Sequence, residues 1–262
     1  MKRKRIKAAV CAAVMAFTLF GSLCPVDYHF MRETSVTASA EAAIWDGTED
    51  TSWYYREHDV VVSENGERIA IFNIRTAEEL AGLAKLVRNG NNMKNTMINL
   101  VSDVTLNDTT NFDNWDEQPP ANNWTAIGAV PIEAPNVNVV MTIQPECRNT
   151  VFAGMFNGNG HTISGMYSLH HNYAGLFART SGIITNVIVK DSYIQCINTQ
   201  KVESGDTALW EACAGGITAI CDRGVISHCE FDGKIFASGL NQVGYGTHGS
   251  FAGGIVGKFS DD

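Results

Sequence analysis

The sequence predicts an all-β protein built as a parallel β-helix, which is a solenoid of short strands, with a short N-terminal α-helix. The first observation is a repeat, because Ile163, Ile184 and Ile226 occupy one slot of similar segments, and the second interval is twice the first. Within a unit the apolar residues fall at i, i+3 and i+5, as in Ile184, Val187 and Val189. This pattern fits neither a straight strand nor a helix, and it indicates two short strands joined at a corner.

A second repeat supports the solenoid. A Gly-hydrophobic motif recurs between the first segments, in residues 175–178, 216–219 and 254–257. Self-similarity with a period of roughly 20 residues is typical of units that bury their apolar faces only by stacking on one another. A leucine-rich repeat is disfavoured because it needs several leucines per unit and a helical return. We therefore place the β-helix in residues 69–262, with Gly165, Asn186 and His228 at its corners.

The N-terminus predicts export. Basic residues between Lys2 and Lys7 precede an apolar run from Ala8 to Phe20, which is short for a membrane span. We interpret residues 1–40 as a signal peptide cleaved after Ala40, within the small-residue sequence Ala38-Ser39-Ala40. An uncleaved membrane anchor is the alternative. The membrane is otherwise not a predicted partner.

The next elements are a polar segment, a strand and a helix. Residues 41–68 mix acidic side chains with aromatic ones without a sustained period, which predicts a linker or loosely attached entry segment. Residues 69–74 predict a strand. Thr76 and Glu79 then form a capping box, and an apolar stripe follows at helical spacing. Gly90 readily adopts the left-handed backbone conformation that commonly ends a helix. We expect a helix over residues 76–90.

Charge and cysteine content exclude two classes of ligand. The chain has a net charge of −9, and residues 41–262 hold 13 basic and 26 acidic side chains, a net of −13. A nucleic-acid partner is therefore not expected, since phosphates need a basic face. Five cysteines follow Ala40, and the regular, wide spacing of Cys213, Cys221 and Cys229 matches no compact zinc knuckle. We interpret them as buried small side chains.

No catalytic motif is present. The sequence lacks His-Glu-x-x-His and Gly-x-Ser-x-Gly, and we predict no metal and no cofactor. One loop combines carboxylates with aromatic rings that can stack on sugars, and its candidate ligand-binding residues are Asp113, Trp115, Asp116, Glu117 and Trp124. The alternative is a solvated acidic loop whose indoles fold onto the solenoid.

The residues also resemble a known family. The stretch 152–166, with the Gly-hydrophobic units after it, resembles GLUG-repeat bacterial surface proteins, and residues 76–84 are similar to the segment that opens such proteins. The resemblance implies an exported right-handed parallel β-helix, with the helix as its N-terminal cap, in a longer cell-surface protein. Some surface metallopeptidases that cleave immunoglobulin A carry such repeats far from their catalytic domain. The family's repeats contain no defined active site.

Three functions remain open from the sequence. The preferred one is a secreted or cell-surface module for non-catalytic adhesion or binding, with host or cell-wall glycans or surface proteins as partners. The others are a polysaccharide-acting β-helix enzyme and a spacer within a larger surface metallopeptidase. The third Gly-hydrophobic unit is not followed by the strand that follows the first two, so we expect the β-helix to be incomplete at its C-terminus and to fray or self-associate there.

Overall fold

The computed structural model describes residues 43–129, 151–198, 211–239 and 249–260. Within them the chain is mostly β-structure in parallel sheets, with one α-helix, so the predicted all-β class is confirmed. The expected signal peptide, residues 1–40 with its cleavage site after Ala40, lies outside the described residues.

Sheet I has six strands in the order β1-β2-β3-β5-β10-β14. Strand β1 runs antiparallel to its neighbour β2, and the other described pairs of this sheet are parallel. The strands of sheet I are β1 (Asp59–Val62), β2 (Arg68–Ile74), β3 (Thr96–Leu100), β5 (Met155–Asn157), β10 (Ile183–Thr185) and β14 (Val225–Ser227).

Three further sheets are entirely parallel among the described strands. Sheet II contains β4 (Val104–Thr105), β6 (Thr162–Ser164), β7 (Tyr167–His170), β11 (Ile188–Asn198) and β15 (Glu230–Gly239). Sheet III contains β8 (Tyr173–Ala174), β12 (Ala212–Gly215) and β16 (Ser250–Gly253). Sheet IV contains β9 (Phe177–Thr180), β13 (Thr218–Asp222) and β17 (Val256–Ser260).

The chain visits the four sheets in a fixed order. The first pass runs through β5, β6 with β7, β8 and β9, the second through β10 to β13, and the third through β14 to β17. Each pass therefore adds strands to all four sheets. The side chains between the sheets form one large apolar cluster, which includes Phe156, Ile184 and Val189 with no exposed surface.

The repeat alignments are partly confirmed by the strand register. Phe177 pairs with Thr218, and Thr218 with Val256, so the three Gly-hydrophobic units stack as the sequence predicts. Ile184 also pairs with Ile226, as expected.

The placement of Ile163 in the same slot is wrong. Ile184 lies opposite Phe156 of the preceding pass, whereas Ile163 lies opposite Val189 in sheet II. Residues 162–164 and 183–185 are both short strands with a buried central isoleucine. The composition of each strand therefore does not distinguish the two sheets, and the passes are not constant in length.

Two corners carry left-handed backbone. Asn186 and His228 have φ of 54° and 53° and follow equivalent strands, as predicted. Gly165, with φ 71°, belongs to a different corner. It follows Ser164, which pairs with Lys190, so its counterpart is Asp191 with φ 47°.

Helix α1 (Ala77–Arg88) connects β2 to β3 within the expected range. The Thr76 hydroxyl accepts a hydrogen bond from the Glu79 amide at 3.2 Å, and the Glu79 carboxylate accepts one from the Arg75 amide at 2.7 Å. Gly90 follows with φ 96°. Leu80, Leu83 and Val87 are fully buried in the main cluster. No helix in the described ranges is long and apolar enough to cross a membrane.

The segment before β2 differs from the loosely attached linker that its polarity predicts. Trp45 and Trp53 are 7% and 2% exposed and belong to the main cluster. The indole of Trp53 donates to the Glu79 carbonyl at 3.0 Å, and the Asp50 amide donates to the Glu78 carbonyl at 2.8 Å. The Trp45 amide also donates to the Thr105 carbonyl of β4 at 2.9 Å. These backbone bonds and the two buried indoles hold residues 45–53 against α1 and β4, despite the acidic residues between them.

Candidate functional site

The predicted ligand-binding loop lies beside sheet II. Asp113 is in a 3₁₀ turn (Phe112–Asn114), and the carboxylate side chains of Asp113, Asp116 and Glu117 face solvent. The acidic part of the prediction is thus an exposed group of carboxylates.

The two tryptophans do not form an exposed sugar platform with these acids. Trp115 and Trp124 are each 2% exposed and belong to separate apolar clusters. Trp124 packs edge-on against Trp45 at 5.8 Å, and its indole donates to the Leu176 carbonyl at 3.3 Å. The indoles fold onto the sheets because each buries a large apolar ring, which is the arrangement given above as the alternative.

Trp115 instead anchors a row of aromatic rings on the outer side of sheet II. Its ring meets Tyr167 edge-on at 6.1 Å, and Tyr167 stacks on Tyr193 at 5.6 Å with 20° between the planes. Tyr193 contacts Phe236 at 5.4 Å. We call Phe112, Trp115, Tyr167, Tyr193, Lys234 and Phe236 the aromatic face.

Phe236 is the accessible member of this row. Its side chain lies on β15 and is 48% exposed, whereas Tyr167 and Tyr193 are only 8% and 3% exposed. An exposed aromatic ring supported from below by other rings is a rigid apolar platform. The aromatic face therefore offers one open ring, not the two indoles that the sequence predicts.

Lys234 ties the acidic loop to this platform. Its ammonium donates to the Asp113 carbonyl at 2.8 Å, lies 3.8 Å from the Asp113 carboxylate and sits 5.2 Å above the centre of the Phe112 ring. The carbonyl and the ring, more than the exposed carboxylate, fix the loop position, because a solvated ion pair stabilises little. The loop and strand β15 thus present carboxylate, ammonium and aromatic groups together.

The tyrosines of the aromatic face remain neutral near pH 7. Burial raises the pKa of Tyr167, and burial together with the negative charge of Asp116 raises the pKa of Tyr193. Both phenols can then donate or accept hydrogen bonds without acting as bases.

Sequence reasoning missed Tyr167, Tyr193, Lys234 and Phe236. The sequence repeat is defined by the buried positions of each unit, whereas these residues point away from the core. The signal that could have found them is the strand register, in which Tyr167, Tyr193 and Lys234 lie side by side in successive passes.

The described cysteines are free thiols and build no metal site with neighbouring side chains. Cys196, Cys213 and Cys221 are buried and Cys229 is half-buried, and all four thiols are free. Burial raises the pKa of both Cys196 and Cys213 to about 12. In the part of the chain that the structure describes, no three His, Cys, Asp or Glu side chains lie close enough together to hold a metal ion.

Comparison with protein-family models, curated proteins and solved structures finds no match to this chain.

Proposed function

We propose that residues 69–262 form a right-handed parallel β-helix of the GLUG-repeat kind, with α1 as its N-terminal cap. Three passes through the same four sheets, each in parallel register with the one before, support this proposal. The buried stripe of α1 belongs to the same apolar cluster as Phe72 and Ile74, which agrees with a capping role, since a solenoid needs a capping unit at its ends.

The module is secreted or displayed on the cell surface and binds glycans without catalysis. The observation that carries this proposal is the half-exposed Phe236 ring, packed on Tyr193 and flanked by Lys234. Sugars present patches of C–H groups that pack on aromatic rings and hydroxyls that bond to charged and polar side chains. Host or cell-wall glycans are the proposed partners, and export follows from the signal peptide predicted in residues 1–40.

A glycan-array screen of the purified chain tests this function, with Phe236→Ala and Phe259→Ala as a matched pair. Phe259 is 69% exposed but lies on β17 in sheet IV, away from the aromatic face. We expect Phe236→Ala to weaken binding of the best glycan at least tenfold and Phe259→Ala to leave it unchanged. Equal binding by wild type and Phe236→Ala would refute the site.

A polysaccharide-cleaving enzyme is the alternative function, because such enzymes use pairs of carboxyl groups. Asp113, Asp116 and Glu117 supply exposed carboxylates beside the platform. A reducing-end assay on every glycan that binds distinguishes the two functions, because cleavage releases new reducing ends and adhesion does not. Release that is lost in Asp116→Asn would favour the enzyme. A chain that neither binds nor cleaves any glycan would favour the spacer.

A further inference from the structure

The outer surface of sheet I carries two uncharged rows that run across its five parallel strands, and at β1 the exposed acidic residue Asp59 pairs with the end of the apolar row. Alternate residues of each strand are buried in the main cluster, such as Phe72, Ile98 and Phe156, so the residues between them face outward. The strand register aligns them into an apolar row, formed by Ile71, Met97, Met155, Ile183 and Val225, and a polar row, formed by Asn73, Asn99, Asn157, Thr185 and Ser227. We call these together the two-row face.

The polar row is preorganised by bonds between its own side chains. The Asn99 amide donates to the Asn73 side-chain carbonyl at 3.2 Å, and the Ser227 and Thr185 hydroxyls lie 3.1 Å apart. In the middle of the row, the corner residue Asn186 donates to the Asn157 side-chain carbonyl at 3.1 Å. Side chains that are already ordered lose little conformational entropy when a ligand binds.

The two-row face is accessible and neutral on an acidic chain. Asn73 is exposed and Val225 is 53% exposed, and the residues between them are half-buried. None of the row residues is charged, although the chain has a net charge of −9. A cationic ligand finds no partner within the rows, where the nearest carboxylate in register is Asp59 beside Ile71 at the β1 end. An anionic polymer meets repulsion from the chain as a whole.

We propose that the two-row face binds an extended, uncharged β-1,4-linked polysaccharide lying across the strands. Strands in a sheet are about 4.8 Å apart, which is close to the length of one pyranose unit in such a chain. Each sugar then rests its C–H surface on one apolar side chain and turns its hydroxyls to one polar side chain. A peptide strand is a poorer occupant, because strand addition uses a sheet edge and this surface is a sheet face.

One end of the rows meets a cavity of about 340 Å³, which is lined by Ile71 and Asn73 of the rows, by His58, and by the charged residues Arg56, Glu57, Asp59 and Arg75. The His58 ring lies 4.4 Å from the Phe72 ring and forms one wall. The cavity begins where the rows end at β2, so it offers space for the terminal sugar of a bound chain.

Co-sedimentation with microcrystalline cellulose and with chitin tests the proposal, with polygalacturonate affinity electrophoresis as the acidic comparison. The test variants are Met155→Lys, which puts a charge in the middle of the apolar row, and Thr185→Val, which removes one hydroxyl at nearly constant volume. The control is Val62→Lys, on the exposed side of β1 and outside both rows. Melting temperatures confirm that each variant is folded.

We expect cellulose or chitin to retain the wild-type chain, with binding weakened at least tenfold by Met155→Lys, at least threefold by Thr185→Val and not at all by Val62→Lys. Phe236→Ala should leave this binding intact, so the two-row face and the aromatic face are tested separately. The proposal is overturned if neither polymer retains the wild type, if polygalacturonate binds more tightly, or if both row variants bind like wild type. Self-association that Met155→Lys abolishes, without polysaccharide binding, would also overturn it and assign the face to a second copy.

Discussion

Gly216 and Gly254 lie on successive passes so closely that a Cβ atom on Gly216 would stand 2.1 Å from the carbonyl oxygen of Gly254. The same Cβ would stand 2.4 Å from Cγ of Phe231, a ring packed against the main cluster. Gly254 occupies the equivalent position one pass later, and a Cβ added there meets no described atom within 4 Å. One residue type at one repeat position thus has two different environments.

This difference predicts that the same substitution, glycine to alanine, destabilises the protein at Gly216 and has little effect at Gly254. Gly216→Ala should lower the free energy of unfolding by about 2 kcal/mol or more, because backbone and a packed ring must move. Gly254→Ala should change it by less than about 0.5 kcal/mol. Urea denaturation of both variants measures the difference, and equal stabilities would show that the two passes do not stack as described.

Ile184 is predicted to be a critical core position. It is fully buried between Phe156 and Ile226, so Ile184→Asp places an unpaired charge in an apolar stack and should cost about 4 kcal/mol or more. The neighbouring Ile183→Asp is the control, since its side chain faces outward and is half-buried. Thermal unfolding followed by circular dichroism should show a large drop for the first and a small one for the second. A native melting temperature for Ile184→Asp would remove that residue from the core.

The start of α1 depends on the Thr76 hydroxyl, which accepts from the Glu79 amide. Thr76→Ala should destabilise the chain by about 1 kcal/mol, whereas Thr76→Ser keeps the acceptor and should stay within a few tenths of wild type. Chemical denaturation measures both. Identical losses in the two variants would indicate that the methyl group, not the hydrogen bond, matters.

The buried thiols should resist alkylation in the native state. With a pKa of about 12, Cys196 and Cys213 are only about one part in ten thousand thiolate at pH 8. Cys229 also has a raised pKa because of burial, and its side chain packs against the main cluster. Iodoacetamide labelling with peptide mapping should find all three unmodified until denaturant is added. Rapid native labelling of Cys229 would contradict its inward packing.

The thiols of Cys196 and Cys213 predict a loss of stability at high pH. Their folded pKa of about 12 lies above the ordinary value of 9.0, so the unfolded chain releases these protons first. Their contribution is unchanged below pH 9 and declines as the pH rises from 9 towards 12. Urea midpoints measured across this interval should fall, and less steeply in Cys196→Ala. A midpoint that is flat to pH 11 would show that the thiols are not buried as described.

Much of the candidate site cannot be predicted from the sequence, because its residues become neighbours only when strands of successive passes pair. The acidic positions of Asp113, Asp116 and Glu117 were predicted to lie in a loop, and they do, with their side chains in solvent. The exposed ring at Phe236 was not predicted, since its support comes from Tyr193 on the preceding pass, through the pairing of β11 with β15. Trp115 and Trp124, which the sequence predicts to form an exposed platform for sugars, are instead buried.

Local patterns in the sequence by themselves determined the all-β class, helix α1 with its cap at Thr76 and the stacking of the three Gly-hydrophobic units. Each of these depends on short-range physics, namely strand periodicity, a side-chain cap and glycine at a close backbone contact. Only the tertiary structure decided that Ile163 pairs with Val189 rather than sharing the slot of Ile184, and that Trp45 and Trp53 are core residues. The reason is that passes of unequal length bring similar short strands into different sheets, and burial then follows from the neighbours that each side chain meets.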